Sequence, residues 1–379
     1  MRRLLLLTGL ALGGLPAVAA AQTSIFSVRG IGFPAREASA RSRALGGGFD
    51  MFDPFSPLNP ASSASLGALT AIGTSSTEFR SYDANSVTAT GLHDTRFPLI
   101  GVAGPAGSSP ISFRLTAGTY ADRTYDVSTT DTVMLRGQPV GVTDQIGSDG
   151  AIADIGGALA WTVSRHLAIG VGVHALTGSS QLSVSRVFGD TTYRPYALRG
   201  HQSYEGFGFD GGVMIQLTRA IQLGASVRSD RRLDISVDSL VTGSVALPTT
   251  IAGGLLLTPS KALHWTTTVT RRSWTRAAAD LAGSGTVVFN TFSIGSGIEL
   301  GPPESGVSNI PLRFGFRYAT LPFSPNAEQP HEVGLTAGTG LLFAKNRALV
   351  NVTLERIMRS GAGVSEHVWA FTVGMRLRP

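Results

Sequence analysis

Seven charged residues lie within stretches that otherwise alternate apolar and polar side chains: Asp154, Asp210, Arg228, Asp234, Arg313, Arg317 and Glu355. A charge in an apolar wall must face water or another charge, which puts all seven on an inner face. Two kinds of chemistry fit them. They pair across an interior and hold another segment in place, or Arg313 and Arg317, on one face of a strand, meet an anionic head group such as a carboxylate. A second set is apolar and falls in connections read as long: Met134 and Leu135 in 128–150, and Phe188, Tyr193 and Tyr196 in 188–203. Apolar residues in outer loops either pack loop on loop or form a groove that captures a hydrophobic molecule.

Other formal motifs carry little. Gly206-Phe207-Gly208-Phe209-Asp210-Gly211 fits the dinucleotide pattern. That pattern works only between a strand and a helix N-terminus, and here it lies inside a strand, where small residues pack a wall. The histidines (His93, His166, His174, His201, His264, His331, His367) are scattered without ligand spacing. No nucleophile elbow is present. The reading is a non-enzyme with no cofactor and no metal; a barrel enzyme acting on lipids is the weaker alternative.

The elements that must position these groups are strands. Residues 1–21 read as a secretion signal: Arg2 and Arg3, an apolar run, and Ala19-Ala20-Ala21 before the cleavage point. Pro16 and the lack of a basic stop-transfer cluster argue against a retained anchor. No other apolar run reaches the ~18 residues of a spanning helix, so a membrane-resident mature chain must cross as strands. Charged residues make up only 15% and glycines number 47 of 379, whereas soluble domains carry about 25% charge. There is no cysteine, hence no lipid anchor on a thiol, no disulfide and no thiolate metal site. The net charge of +6 is almost all arginine without a basic block among aromatics, which excludes nucleic acid as the expected partner.

From residue 66 to the end, about fourteen stretches alternate in the period-2 manner of strands. Phe207, Phe209, Val213, Ile215 and Leu217 share one face, with Asp210, Met214 and Gln216 on the other. Trp369, Phe371, Val373, Met375 and Leu377 repeat the pattern near the C-terminus. Connections alternate tight (164–166, 218–220, 258–262, 344–347) and long, as in a transmembrane barrel; the Pro-rich 301–309 is the misfit. The predicted fold is an all-β transmembrane antiparallel barrel spanning 66–379. A soluble sandwich would keep a charged outer face, which these stretches lack. Residues 22–65 have no period but combine Gly46-Gly47-Gly48, Pro54, Pro57 and Pro60 with Phe33, Phe49, Phe52 and Phe55. Linkers seldom carry so many aromatics, so this segment is expected to plug the lumen.

Here the chain resembles a known family, the FadL-type outer-membrane transporters of hydrophobic compounds, in the wider FadL/PorV-like superfamily. Arg43-Ala44-Leu45-Gly46-Gly47-Gly48 and then Asn59-Pro60-Ala61 resemble its N-terminal pattern. Leu247-Pro248, Leu263-His264-Trp265 and Ser273-Trp274-Thr275 resemble its Leu-Pro strand start and Ser-Trp-Ser-like strand end, with Thr275 as a departure. Residues 311–322 resemble its Leu-Arg-x-Gly strand ending near a proline. Together these cover about a third of the mature chain. The resemblance implies a 14-stranded barrel with an N-terminal hatch built on Gly46, Gly47, Gly48, Phe49, Asn59 and Pro60. It also implies passive uptake of small hydrophobic molecules, fatty-acid-like or aromatic. The family's ligand contacts do not map residue by residue. The expected substrate contacts are therefore those read above, Arg313, Arg317, Met134, Leu135, Phe188 and Tyr193. Expected partners are outer-membrane lipid and a small hydrophobic ligand, in the bacterial outer membrane. The rival reading is a scaffold or secretion-accessory barrel with a protein partner.

Overall fold

The computed structural model describes residues 24–84, 87–238, 240–303, 306, 310–344 and 347–379. The expected signal, 1–21, and most of the 301–309 connection lie outside the described residues. Fourteen strands form the wall. The first seven are β1 (Thr70–Ala84), β2 (Val87–Pro105), β3 (Ile111–Asp122, resuming as Tyr125–Leu135), β4 (Gln138–Ser164), β5 (Leu167–Phe188), β6 (Tyr196–Thr218) and β7 (Ile221–Val237). The rest are β8 (Leu240–Ala246, resuming as Thr249–Ser260), β9 (Leu263–Arg272), β10 (Thr291–Leu300), β11 (Leu312–Thr320), β12 (His331–Phe343), β13 (Ala348–Gly361) and β14 (Val364–Leu377). Each pairs antiparallel with its neighbour, and β14 returns to β1 from Val364↔Ala84 to Leu377↔Ala71, closing the barrel.

Closure follows from the alternation. On β14 the outward Trp369, Phe371, Val373, Met375 and Leu377 are 37–48% exposed, while Val368, Ala370 and Thr372 are fully buried. The same holds on β6, where Phe207 and Phe209 point out and Asp210 and Met214 point in. Such a wall is apolar outside and polar inside. Among the described residues no helix is long and apolar enough to cross a membrane.

Two expectations about connections are corrected. Residues 128–150 and 188–203 are mostly strand, so β3 to β6 stand out beyond the rest of the wall as a four-stranded sheet. The β-branched Val127, Thr129, Thr130, Thr132 and Val133 favour strand. Arg136 (φ 53°) and Gly137 (φ 78°) then supply the two left-handed residues of a tight hairpin. Leu247-Pro248 does not begin a strand; it interrupts β8, where proline has no N–H for the ladder.

The N-terminal segment fills the lumen with a short helix, α1 (Ala40–Ala44), and a 3-10 turn, Pro60–Ser65. Leu45, Phe49, Met51, Phe52 and Ala61 pack on Met214 and Ala252 of the wall. Wall glycines make this approach possible. A Cβ on Gly315 would come 2.3 Å from the amide nitrogen of Gly46, and one on Gly212 2.1 Å from Oδ1 of Asn59.

Candidate functional site

Among the described residues, the ladder between β2 and β3 is incomplete. β2 and β3 pair only from Leu99↔Gly118 to Pro105↔Ser112. Beyond that, Val87–Ala89 and Leu92–Arg96 of β2 pair with β1 alone, while β3 turns away to follow β4. Pro98 sits where the ladder ends; its ring nitrogen has no hydrogen to donate, so the pairing stops. The N-terminal segment occupies the exposed edge of β3: Phe33↔Asp122 and Pro34↔Ala121 form a short antiparallel bridge. The Ala35 N–H donates to the Tyr120 carbonyl at 3.0 Å, and the Arg123 side chain donates to the Gly30 carbonyl at 2.9 Å. Arg96 of β2 reaches across to Asp122 at 2.6 Å, an ion pair that spans the gap.

Behind this bridge lies a lumenal cavity of about 140 Å³. Its lining mixes apolar Phe33, Leu58, Trp274, Leu321 and Pro322 with charged Arg36, Glu37, Arg228, Arg272, Arg317 and Glu332. Toward the long-connection end an apolar core closes the lumen. It joins Ile31 of the N-terminal segment to Leu233, Val245 and Leu247 of the wall and to Trp274, Leu281 and Phe323 of the connections. Trp274 meets Phe323 edge-on at 5.2 Å. Contrary to the resemblance, β9 stops at Arg272 and Trp274 opens a helical lid, Trp274–Ser284, that continues to the two-residue strand Val287–Val288.

Ion pairs bind plug to wall. Arg36 and Arg43 converge on Glu355 at 2.7 and 2.9 Å, and Arg41 reaches Glu299 at 2.6 Å. Arg41 also lies 4.2 Å over the ring of Phe49. Arg114 donates to the carbonyls of Ser56 and Asn59. The Asn59 side chain caps the 3-10 turn, accepting from Ala61 N–H at 3.0 Å, with Pro60 in the first helical position. A wall network continues from His174 to Asp154 (2.8 Å), Arg228 (2.6 Å) and Asp230 (2.8 Å). Every acid here has a cationic neighbour, which is what makes burial of so much charge tolerable.

The Gly46-Gly47-Gly48 run ends α1. Gly46 (φ 64°) and Gly47 (φ 84°) are left-handed. Gly46 N–H donates to the Arg43 carbonyl at 3.0 Å and Gly47 N–H to that of Ser42 at 2.8 Å. That is the Schellman stop, with glycine where its missing Cβ is needed.

The sequence-predicted residues separate. Arg317 lines the cavity and meets Glu332 at 3.1 Å. Arg313 does not line it: it is fully buried, bonded to Glu299 at 2.7 Å and Asn351 at 2.9 Å. Asp154, Asp210, Arg228 and Glu355 are buried as expected, but Asp234 is exposed on the outer face. A bulge takes Gly206↔Leu233 and Gly208↔Asp230 out of step, and the phase of β7 flips beyond it. Phe188 and Tyr193 touch, ring centroids 5.5 Å apart. Met134 lies at the hairpin tip, exposed, opposite Pro139, on the other face from Leu135 and Phe188. Tyr196 is exposed opposite Arg186.

Sequence reasoning missed a row of directly opposed apolar residues on the projecting sheet: Val127, Ile146, Val184 and Leu198. The last three are 42%, 36% and 64% exposed. Alternation in 127–146 was the available signal. Phe33 was counted among the plug aromatics, but the pairing of Phe33 and Pro34 with β3 is one that two residues of strand cannot announce.

No protein-family model matches the sequence, and no curated protein matches it. Solved structures do. The CymD monoaromatic hydrocarbon channel aligns over 90% of this chain and 97% of its own, at TM-score 0.58 and 13% identity. The Ralstonia pickettii toluene transporter TbuX gives 0.58 and 14% over 90% and 98%. A Pseudomonas aeruginosa FadL homologue gives 0.58 and 12% over 91% and 99%. The fold is the FadL type. The FadL-type barrel here is closed, fourteen-stranded and filled by its N-terminal segment.

Proposed function

We propose that this chain is an outer-membrane channel for passive passage of small hydrophobic molecules. The observation that carries the reading is the incomplete β2–β3 ladder, with the plug bonded into its edge and a cavity directly behind. The solved structures of this fold, described as a hydrocarbon channel and a toluene transporter, support it.

A molecule leaving water first meets the apolar row Val127, Ile146, Val184 and Leu198, which lowers its exposed area at about 25 cal/mol per Å². It passes the apolar core around Trp274 and enters the cavity, with its apolar part against Phe33 and Leu321. Any anionic group it carries meets Arg317. Displacement of residues 33–35 from β3 opens the gap, and the molecule leaves through the wall or down the lumen. The chain shows no nucleotide motif in a nucleotide-binding setting, and passage runs down the concentration gradient. Met134, Leu135, Phe188 and Tyr193 belong to the capture sheet in this reading, and Gly46 to Pro60 to the hatch.

The same plug, packed on the wall and ion-paired to Glu299 and Glu355, favours a second reading, a scaffold barrel that never opens. Uptake of labelled toluene by cells lacking their own hydrophobic channels separates the two. Expression of the full chain raises the initial rate severalfold if it is a channel. An unchanged rate, with a stoichiometric protein partner on purification, selects the scaffold.

A further inference from the structure

The outer surface of β6 to β10 carries arginines that the lumenal chemistry does not use. The bulge that turns Asp234 outward also puts two consecutive residues, Arg231 and Arg232, on the outside. Arg232 is held by Asp280 at 2.9 Å. Arg231 instead lies 4.9 Å over the ring of outward-facing Phe207. Across β8, Arg271 of β9 stands directly opposite Ile251, and Ile251 opposite Val227. Among the described residues, the exposed Arg271 side chain has no hydrogen bond or ion pair. Between these two, Arg276 from the lid donates to Thr249 Oγ1 at 2.7 Å. Thr249 pairs with Ser229, one rung below Arg231 and one rung above the Ile251–Arg271 pair.

Strands lie ~4.8 Å apart and same-face residues ~7 Å apart along a strand. The stems of Arg231, Arg271 and Arg276 therefore fall within a patch of ~10 by ~14 Å. Of the acids nearby, Asp280 is held by Arg232, and Glu205 and Asp234 stand opposite each other on the next rung outward. Arg271 shares its rung with exposed Val227, Ile251 and Phe292, and exposed Phe209 stands on the rung of Thr249, so the patch overlaps the apolar belt. Lone arginines at a membrane interface are common anchors. Three on one face, at the edge of an apolar belt, come within side-chain reach of one phosphate over Thr249 once Arg231 leaves Phe207, with a surface beside them for its chains.

We infer that Arg231, Arg271 and Arg276 form a binding site on the outer wall for the phosphate of a membrane lipid in the leaflet at the long-connection end. The guanidinium groups take the phosphate oxygens, and the acyl chains lie over Val227 and Ile251. The inference depends on the wall facing lipid and is independent of whether anything passes through the barrel.

Native mass spectrometry of the full chain, titrated with dioleoyl phosphatidate or dioleoyl phosphatidylcholine, tests it. Phosphatidate, whose phosphomonoester is unshielded, is expected to bind at least about tenfold more tightly, or ~1.4 kcal/mol. The variant Arg231→Gln/Arg271→Gln/Arg276→Gln is expected to bind the two lipids equally. Arg356→Gln, which alters an arginine 5.1 Å from outward-facing Trp369 on the β13–β14 wall, is expected to keep the preference. Heat-modifiable gel mobility verifies that each variant is a folded barrel. Equal affinity for both lipids in the unaltered protein, or an unchanged preference in the triple variant, overturns the site. Binding of inorganic phosphate as tight as that of phosphatidate overturns the lipid assignment.

Discussion

Pro34 of the N-terminal segment lies directly opposite Ala121 on β3, at the edge the wall leaves unpaired. The neighbouring Ala35–Tyr120 bond makes Pro34–Ala121 a non-hydrogen-bonded pair. Such pairs hold their Cα atoms ~4.5 Å apart, inside the disulfide range. The natural chain has no cysteine to interfere. Oxidised Pro34→Cys/Ala121→Cys protein is expected to lose at least about tenfold in toluene uptake, with recovery on reduction. Unchanged uptake after full oxidation would remove the gap from the route.

Glu355 is fully buried and accepts from both Arg36 and Arg43. Removing one partner of a buried pair costs about 3–5 kcal/mol, because the remaining charge loses its compensation. Here the cost falls on docking of the plug, since the β13 ladder on both sides is backbone-held. Glu355→Ala is expected to make residues 24–65 susceptible to trypsin while the barrel keeps its heat-modifiable mobility. Glu355→Gln, retaining one acceptor oxygen, should fall between. Loss of the barrel itself would mean that the pair supports the wall and not the plug.

The period-2 pattern made the strands legible, because outward Trp369 to Leu377 and inward Val368 to Thr372 can be assigned by counting alone. Counting fails wherever the count slips. Asp234 is displaced by a bulge that only the pairing of Gly206 with Leu233 reveals. The aromatic content of residues 22–65 pointed to a packed segment, and Phe49, Phe52 and Phe55 are buried. Which of two same-face arginines reaches a cavity was not legible. Arg313 is captured by Glu299, its cross-strand partner on β10, and sequence gives no register between strands so separated. Trp274 was misplaced because Ser-Trp-Thr suits a strand end as well as a helical turn. Its burial depends on Phe323, far along the chain.

Glu37 should make seating of the plug depend on pH. It lies on the plug facing the cavity, with Oε1 buried and no hydrogen-bond partner among the described residues. Burial, reinforced by the carboxylate of Asp154, pushes its pKa up to about 8. The facing cations Arg228, His174 and Arg272 oppose the rise without cancelling it. Once the segment is released to water the group returns to about 4.5. The seated state therefore holds a proton that the released state gives up. Its contribution to seating is complete below pH 4.5, declines as pH rises toward 8, and is gone above that. Amide exchange at Gly46 and Gly47, corrected for its intrinsic pH dependence, reports the seating. Protection is expected to fall between pH 5 and about 8 in the natural protein. Glu37→Gln, which cannot ionise, is expected to keep the low-pH protection throughout. An identical pH profile in that variant would assign the dependence to other groups and leave Glu37 a spectator.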